Sequence, residues 1–384
     1  MTVADLIEAL EGIAPLEAAE AWDRVGLHVG ARSRELDGAV LLTIDLTEPV
    51  LTEAIGVGAR AIIAYHPPIW NPVATITDAT PGERVLLRAI ESGIAVYSPH
   101  TALDAARGGL TEWLCEGLSH GKGEGRPGTI AGDCRALVPF ARRERSREVK
   151  IVTFVPGEAL DQVRAALGTA GAGGVGHYRL CSFAAPGTGT FLPLEGSHPV
   201  IGEVGKLAQV GEYRLEMVCA RSALALAIET LREFHPYEEP AFDVIELEPE
   251  PERRVGPGRR LVLDRGTTIG ELAERLKTHL GHCRTHLGAP WDESREIKIV
   301  GVVAGAGESM LDAAHDEGCE VFVTGEMKHH EIMRAFRLGV GVILAGHTNT
   351  ERGFLPILAA RLNERLPSAQ FVVSREDRDV LRRI

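Results

Sequence analysis

The residues of this chain best suited to chemistry sit just past apolar runs. His66 follows the run ending at Ala64, His100 the run ending at Ser98, Glu326 the run ending at Thr324, and His347 the run ending at Ala345. Asp104 and Glu351 come four residues after His100 and His347. Open parallel sheets bind ligands beyond the carboxyl ends of their strands. Several strand ends would therefore bring imidazoles and carboxylates into one crevice. That donor set suits zinc, iron, manganese or a similar divalent ion, and a carboxylate can bridge two ions. The phrases His100-Thr-Ala-Leu-Asp104 and His347-Thr-Asn-Thr-Glu351 share a His-Thr-x-x-acid pattern directly after a strand, one in each half of the chain. His330, beside Glu326, belongs either to a solvated helix start or to the crevice.

Two other clusters read differently. His279, His282, Cys283 and His286 have spacings that could share a helical face, but Gly281 interrupts it and no acidic residue stands nearby to orient a ligand. An exposed helix end is the expectation. Gly187-Thr-Gly-Thr190 lacks the Gly-Lys-Ser/Thr ending of a phosphate-binding loop and reads as a turn.

The elements that must position these residues follow from pattern. Apolar runs at Ala39–Ile44, Ala61–Ala64 and Ala95–Ser98 alternate with helical periodicity around Glu48–Ile55 and Glu83–Ile90. Such alternation implies βαβ units and a parallel sheet. The second half repeats it, with strands at Ile297–Val303, Val321–Thr324 and Val340–Ala345 and helices around Ser309–Glu317, Lys328–Leu338 and Phe354–Leu366. Gly-, Pro- and charge-rich stretches at Gly121–Gly128 and Glu248–Gly258 read as linkers around an insert. Strands at Val149–Val155, Arg214–Val218 and Phe242–Leu247, with helices at Ala159–Leu167 and Ala223–Phe234, suit a small α+β sandwich of ferredoxin-like type. The fold class is thus α/β, with the first half over 1–128, an α+β insert over 129–250 and the second half over 251–384.

Composition narrows the function. The chain has 384 residues, 45% of them hydrophobic, which is enough to bury sizeable cores and excludes a disordered or fibrous protein. Its formal net charge of −13 argues against broad nucleic-acid binding. No apolar run reaches membrane-spanning length, and Asp5, Glu8 and Glu11 stand where a signal peptide needs basic residues. Six scattered cysteines fit neither a zinc knuckle nor a disulfide framework and are expected to be reduced in a cytoplasmic protein.

At these residues the chain resembles the Nif-three-like dinuclear metal-centre proteins, often labelled GTP cyclohydrolase I type 2. The phrases that carry the likeness are Trp22-Asp-Arg-Val-Gly-Leu27, Tyr65-His-Pro-Pro-Ile-Trp70, His100-Thr-Ala-Leu-Asp104, Val323-Thr-Gly-Glu-Met-Lys-His-His330 and Gly346-His-Thr-Asn-Thr-Glu351. The insert resembles the CutA-like, PII-like middle domain of long-form members through Gly187–Gly196, Ile201–Leu207 and His235-Pro-Tyr-Glu-Glu-Pro240. The resemblance implies a homohexameric ring and a pair of metals within each subunit. It assigns His66 and Asp104 to one ion, His347 to the other, and Glu351 to both. One departure stands out: the family's first motif has two consecutive histidines, and Tyr65 occupies the first of those positions here. A phenol ionises only near pH 10 and is a poor ligand before that. The second ion is then left with His347, Glu351 and Tyr65, water, His100 or His330, so one or two ions per chain are expected.

The leading functional expectation is a metal-dependent hydrolase acting on a small molecule, a nucleotide if the GTP cyclohydrolase label holds, with His100, Glu326 and His330 as candidate proton carriers. The alternative is a non-catalytic metal-binding regulatory or adaptor hexamer that senses a small molecule through its PII-like insert.

Overall fold

Thr2 and Thr268 open the two halves of the larger part of the molecule in the same way. Each caps a helix with its side chain, Thr2 accepting from the Asp5 amide ahead of Val3–Glu11, and Thr268 from the Glu271 amide ahead of Ile269–His279. In each half a short antiparallel edge strand follows, Gly26–Val29 or His286–Gly288, and then three parallel strands. These are Ala39–Thr43, Ala59–Ala64 and Ala95–Ser98 in the first half, and Ile297–Val302, Val321–Thr324 and Gly341–Leu344 in the second. Both sheets place the third parallel strand beside the edge strand and the first farthest from it, so the halves share one winding. The outer neighbours differ: Phe371–Val373 adds in parallel to the first sheet, while Arg259–Thr267 and Gly132–Ala136 add antiparallel to the second.

The computed structural model describes residues 1–121, 128–142 and 145–379. It divides into a larger unit, Met1–Phe140 with Glu252–Ile384, and a smaller one, Ala141–Pro251. The linker read at Gly121–Gly128 lies mostly outside the described residues. The sequence reading starts the insert at residue 129, whereas residues 129–140 belong to the larger unit, because Gly132–Ala136 pairs with Arg259–Leu263.

The parallel strands are mostly apolar because helices cover both faces; all of Ala39–Thr43 and Val321–Thr324 is buried, and the exposed charges Arg60 and Lys298 stand at the second residue of Ala59–Ala64 and of Ile297–Val302. The largest core joins both halves, with Leu6, Leu10, Val40, Leu114, Val323 and Leu358 among its members. Arg259, with 0% exposure, is fastened inside it. Its Nη1 donates to the Gly256 and Gly258 carbonyls at 2.6 and 2.9 Å, its Nη2 to those of Ala105 and Ala106 at 2.9 Å each, and its Nε to Glu112 at 3.2 Å.

The smaller unit runs βαββαβ: Val149–Pro156, helix Leu160–Thr169, Phe183–Phe191, Ala208–Cys219, helix Leu224–Phe234, Phe242–Glu246. Its strands pair antiparallel in the order fourth, first, third, second. Both helices pack on a core that includes Ile151, Val163, Leu167, Leu215, Met217 and Leu231. The Gly187–Thr190 turn expectation is corrected here: those residues are the middle of a strand, paired one for one with Glu212–Gln209. Among the described residues no helix is long and apolar enough to cross a membrane.

Candidate metal centre

The ladder of the first sheet carries past its last strand residues. The Tyr65 amide donates to the Thr43 carbonyl and that of His66 to Ile44, at 2.9 and 3.0 Å, while Ser98 Oγ donates to the Tyr65 carbonyl at 2.7 Å. These bonds fix the backbone from which both side chains project. In the second sheet the Ala345 and Gly346 amides continue the ladder to Thr324 and Gly325, at 3.1 and 2.8 Å. His347 follows, and the short helix Asn349–Arg352 turns Glu351 back toward it. Thr350 Oγ1 ties this turn down, donating to the His347 carbonyl at 2.6 Å and accepting the Gly305 amide at 2.9 Å.

Two histidines from different halves thereby meet over one carboxylate. His66 Nε2 lies 3.6 Å from Glu351 Oε2, and His347 Nε2 lies 3.3 Å from Oε1. Their outer nitrogens are held by carboxylates, His66 Nδ1 by Asp45 at 2.9 Å and His347 Nδ1 by Glu326 at 3.0 Å. Carboxylate-backed imidazoles are the usual arrangement around metal-ligating histidines, since the outer bond fixes the tautomer and aims Nε2. Metal–donor bonds of about 2.0–2.1 Å in a tetrahedron set neighbouring donors about 3.3–3.4 Å apart. The His347–Oε1 separation matches that edge, and His66 comes nearly as close to the other oxygen, Oε2.

Glu351 is only 2% exposed, and its Oε2 has no hydrogen-bond partner. That buried anionic oxygen faces only the His66 imidazole, at 3.6 Å, a spacing too long for a hydrogen bond and one that an ion between them would fill. The glycine at 305 keeps the space open. A Cβ there would stand 2.8 Å from Glu351 Oε1 and 3.1 Å from His347 Nε2, and the backbone φ of +60° is itself unfavourable for other residues. In the ion-free protein, protons hold the centre together. Burial works against a charged His66, but hydrogen bonds and charge from Asp45 and Glu351 raise it to about 10. The bond to Glu351 outweighs burial and raises His347 to about 9. Burial pushes the Glu351 carboxyl up, yet the two histidines bring it below its ordinary value.

Among the described residues, His66, His347 and Glu351 are the one group of three His, Cys or acidic side chains whose donor atoms converge. The other expected site residues fall around it. The Tyr65 hydroxyl, on a side chain 2% exposed, donates to Asp104 Oδ1 at 2.7 Å. Burial, then the Asp104 and Glu351 charges, push this phenol well above its ordinary value, and burial lifts Asp104 to about 6. His100 borders the same cleft with Nδ1 on Asp23 at 2.8 Å, and its φ of +25° is rare for a non-glycine residue.

Two expected proton carriers take other places. Glu326 is engaged in orienting His347. His330 projects from the first turn of helix His329–Arg337 into solvent, lies 3.5 Å from Glu331, and does not border the cleft. The His279–His286 group is not assembled: the helix ends at His279, Gly281 and His282 both have positive φ, and the His279 ring packs on Trp113, tilted by 42° with centroids 4.5 Å apart. Asp45 and Asp23 were missed from sequence. Asp45 carried one signal, its place two residues beyond a buried strand, and Asp23 lay inside the Trp22–Leu27 phrase without being singled out.

The cleft over the centre has a volume of about 440 Å³ and is bordered by Trp22, Trp70, His100, Met310 and the ligand candidates. Trp22 and Trp70 are 52% and 49% exposed, their rings 5.7 Å apart and tilted by 49°.

Comparison with known proteins agrees with this architecture. The family model described as Duf34/NIF3 (NGG1p interacting factor 3) matches residues 1–379. The chain is 35% identical over 342 residues to the GTP cyclohydrolase 1 type 2 homolog of Bacillus subtilis (strain 168), covering 89% of this chain and 87% of that one. It is 32% identical over 391 residues to NIF3-like protein 1 of Rattus norvegicus, covering 100% and 93%. The crystal structure of a Bacillus cereus protein related to NIF3 superposes with a TM-score of 0.65 at 30% identity, over 100% of this chain and 99% of that one. The shared winding of the two halves and the match along nearly the whole sequence lead to one conclusion: the chain belongs to the Duf34/NIF3 family.

Proposed function

We propose that this protein is a divalent-metal-dependent hydrolase whose ion is held by His66, His347 and Glu351, and whose substrate is a small molecule bearing a flat ring. The observation that carries the reading is the convergence of two carboxylate-backed imidazoles on a buried carboxylate with an unpartnered oxygen. Three protein donors leave a position for water or substrate, as catalytic rather than structural sites do. A zinc, iron or manganese ion bound there supplies Lewis acidity and a strong oxygen nucleophile at neutral pH.

The chain's own residues do the rest. Asp45 and Glu326 keep the imidazoles in the ligating orientation. His100, steadied by Asp23, borders the cleft as the general acid–base candidate. Trp22 and Trp70 at the mouth give a planar heteroaromatic ring something to stack on, which fits a nucleotide. Water added at the carbon between the imidazole nitrogens of a purine would open the ring to a formamide, and a second water would cleave that amide to formate and an amine, with no phosphoryl transfer.

Incubation of the purified protein with GTP and each metal tests this directly. Formate above a Glu351→Ala control is expected, and Trp70→Ala should raise KM several-fold while leaving bound metal unchanged. No formate with any metal would remove the GTP reading.

A second reading, a non-catalytic regulatory or adaptor hexamer, is favoured by one observation. The smaller unit, with the strand order of a ferredoxin-like, PII-like domain, has its own cavity of about 630 Å³, bordered by Phe154, Glu212, Arg214 and Tyr237. Small-molecule binding there together with full metal loading and no turnover would favour it. The hexameric assembly is part of both readings, and light scattering of the purified chain tests it.

A further inference from the structure

We infer that the Tyr65–Asp104 hydrogen bond closes the second metal position, so that this chain holds one divalent ion per subunit where the dinuclear pattern would have two. The inference rests on the proposed metal centre. It concerns how many ions that centre accepts and which residue decides it.

Donor geometry comes first. One donor atom from each of His66, His347 and Glu351 lies within 4.8 Å of the other two, close enough for one ion to take all three, while the imidazoles approach the two oxygens of that carboxylate separately, His347 Nε2 at 3.3 Å from Oε1 and His66 Nε2 at 3.6 Å from Oε2. A neighbouring ion could share Glu351, but its other protein donors would have to be Asp104 and the side chain at 65. Among the described residues Asp104 does not join the convergent group. One of its oxygens accepts the Tyr65 hydroxyl at 2.7 Å. The hydroxyl hydrogen is directed at Oδ1, so that this carboxylate oxygen and the phenol oxygen are engaged with each other and not with an ion.

Packing holds this pair in place. The Tyr65 ring is 2% exposed and sits edge-on to His100 and tilted on His66, with centroids 5.3 and 5.0 Å away. Its carbonyl is fixed by Ser98 Oγ at 2.7 Å. Rotating the phenol out would break a buried hydrogen bond and open a void beside the His66 and His100 rings. The alternative donor His100 is also occupied on one side, through Asp23. A second ion would be left with shared Glu351 and a displaced Asp104, too few protein donors for the three-ligand minimum of catalytic sites.

Replacing the phenol by imidazole removes the hydroxyl that caps Asp104 and adds a neutral donor in its place. Wild type, Asp104→Asn, Tyr65→Phe and Tyr65→His should be saturated with Mn²⁺, desalted, and assayed for metal per chain by elemental analysis, with electron paramagnetic resonance to separate isolated from coupled ions. About one isolated ion is expected in the wild type, in Asp104→Asn and in Tyr65→Phe, and about two coupled ions in Tyr65→His. Two ions in the wild type, or loss of an ion in Asp104→Asn, would overturn the inference and leave the metal centre standing. A folded Tyr65→His that stays at one ion would overturn the role given to Tyr65. No ion in the wild type would overturn the metal centre, and this inference with it.

Discussion

Replacing Arg259 by methionine should be among the most damaging single changes outside the candidate centre. The guanidinium is fully buried and donates to four carbonyls and one carboxylate at 2.6–3.2 Å. Two carbonyls belong to Ala105 and Ala106, at the end of the helix that carries His100 and Asp104, and two to Gly256 and Gly258, where the chain re-enters the larger unit. Methionine fills most of the volume but satisfies none of these acceptors, and it leaves Glu112 without its partner. Breaking a buried, hydrogen-bonded ion pair from one side costs about 3–5 kcal/mol. With an m-value of about 3 kcal/mol/M for a unit of this size, the urea midpoint should fall by about 1–1.7 M. Arg260→Met is the control: that side chain is half-buried, bonded to one carbonyl, and 3.7 Å from Glu317. Partly exposed pairs contribute about 0–1 kcal/mol, so its midpoint should move by no more than about 0.3 M. The assay is urea denaturation followed by near-ultraviolet circular dichroism. A shift for Arg259→Met as small as that of Arg260→Met would refute the reasoning that unpartnered carbonyls and Glu112 dominate.

Three further outcomes follow from the centre. Glu326→Gln and Asp45→Asn, which unhook the outer nitrogens of His347 and His66, should each weaken metal binding about 10–100-fold in competition with a chelator, with the fold intact. Gly305→Ala, by pressing on Glu351 and His347, should lower bound metal as much as Glu351→Gln does, which elemental analysis will read. For pH, the folded values of about 10 for His66 and about 9 for His347 stand above the ordinary 6.5, so the stability they contribute is complete below pH 6.5 and is lost as pH rises through 9 and 10. The melting temperature of metal-stripped protein should therefore fall across that window, and a flat profile would count against proton-held histidines.

The parts of this fold that were legible in sequence are those with one dominant physical cause. Ala39–Thr43, Ala95–Ser98 and Val321–Thr324 are buried on both faces and read as unbroken apolar runs. Edge strands lack that signature. Gly26–Val29, Gly132–Ala136 and His286–Gly288 are short, carry polar residues, and owe their strand geometry to a neighbour far away in sequence. Gly187–Thr190, in the middle of Phe183–Phe191, reads as a turn because glycine and threonine alternate there, yet register with Ala208–Glu216 overrides that local preference. In the candidate centre, His66, His347 and Glu351 stood out because imidazoles and acids are rare at the ends of apolar strands. Asp45 and Glu326 in their orienting roles, and Arg259 altogether, could not be recognised so, since each acts through a partner 21 or more residues away.

The distribution of the centre over two wound halves also bears on the order of events during folding. His66 belongs to the first half and His347 and Glu351 to the second, with the whole smaller unit between them in sequence. As the chain is synthesised, the parallel strands of the first half can form with His66 already on Asp45 but with no Glu351 opposite its Nε2. Ion capture therefore waits on the docking of the halves. The first tight binding of a metal during refolding is consequently a clock for that docking, readable by a colorimetric chelator against the slower or faster return of core fluorescence from Trp113.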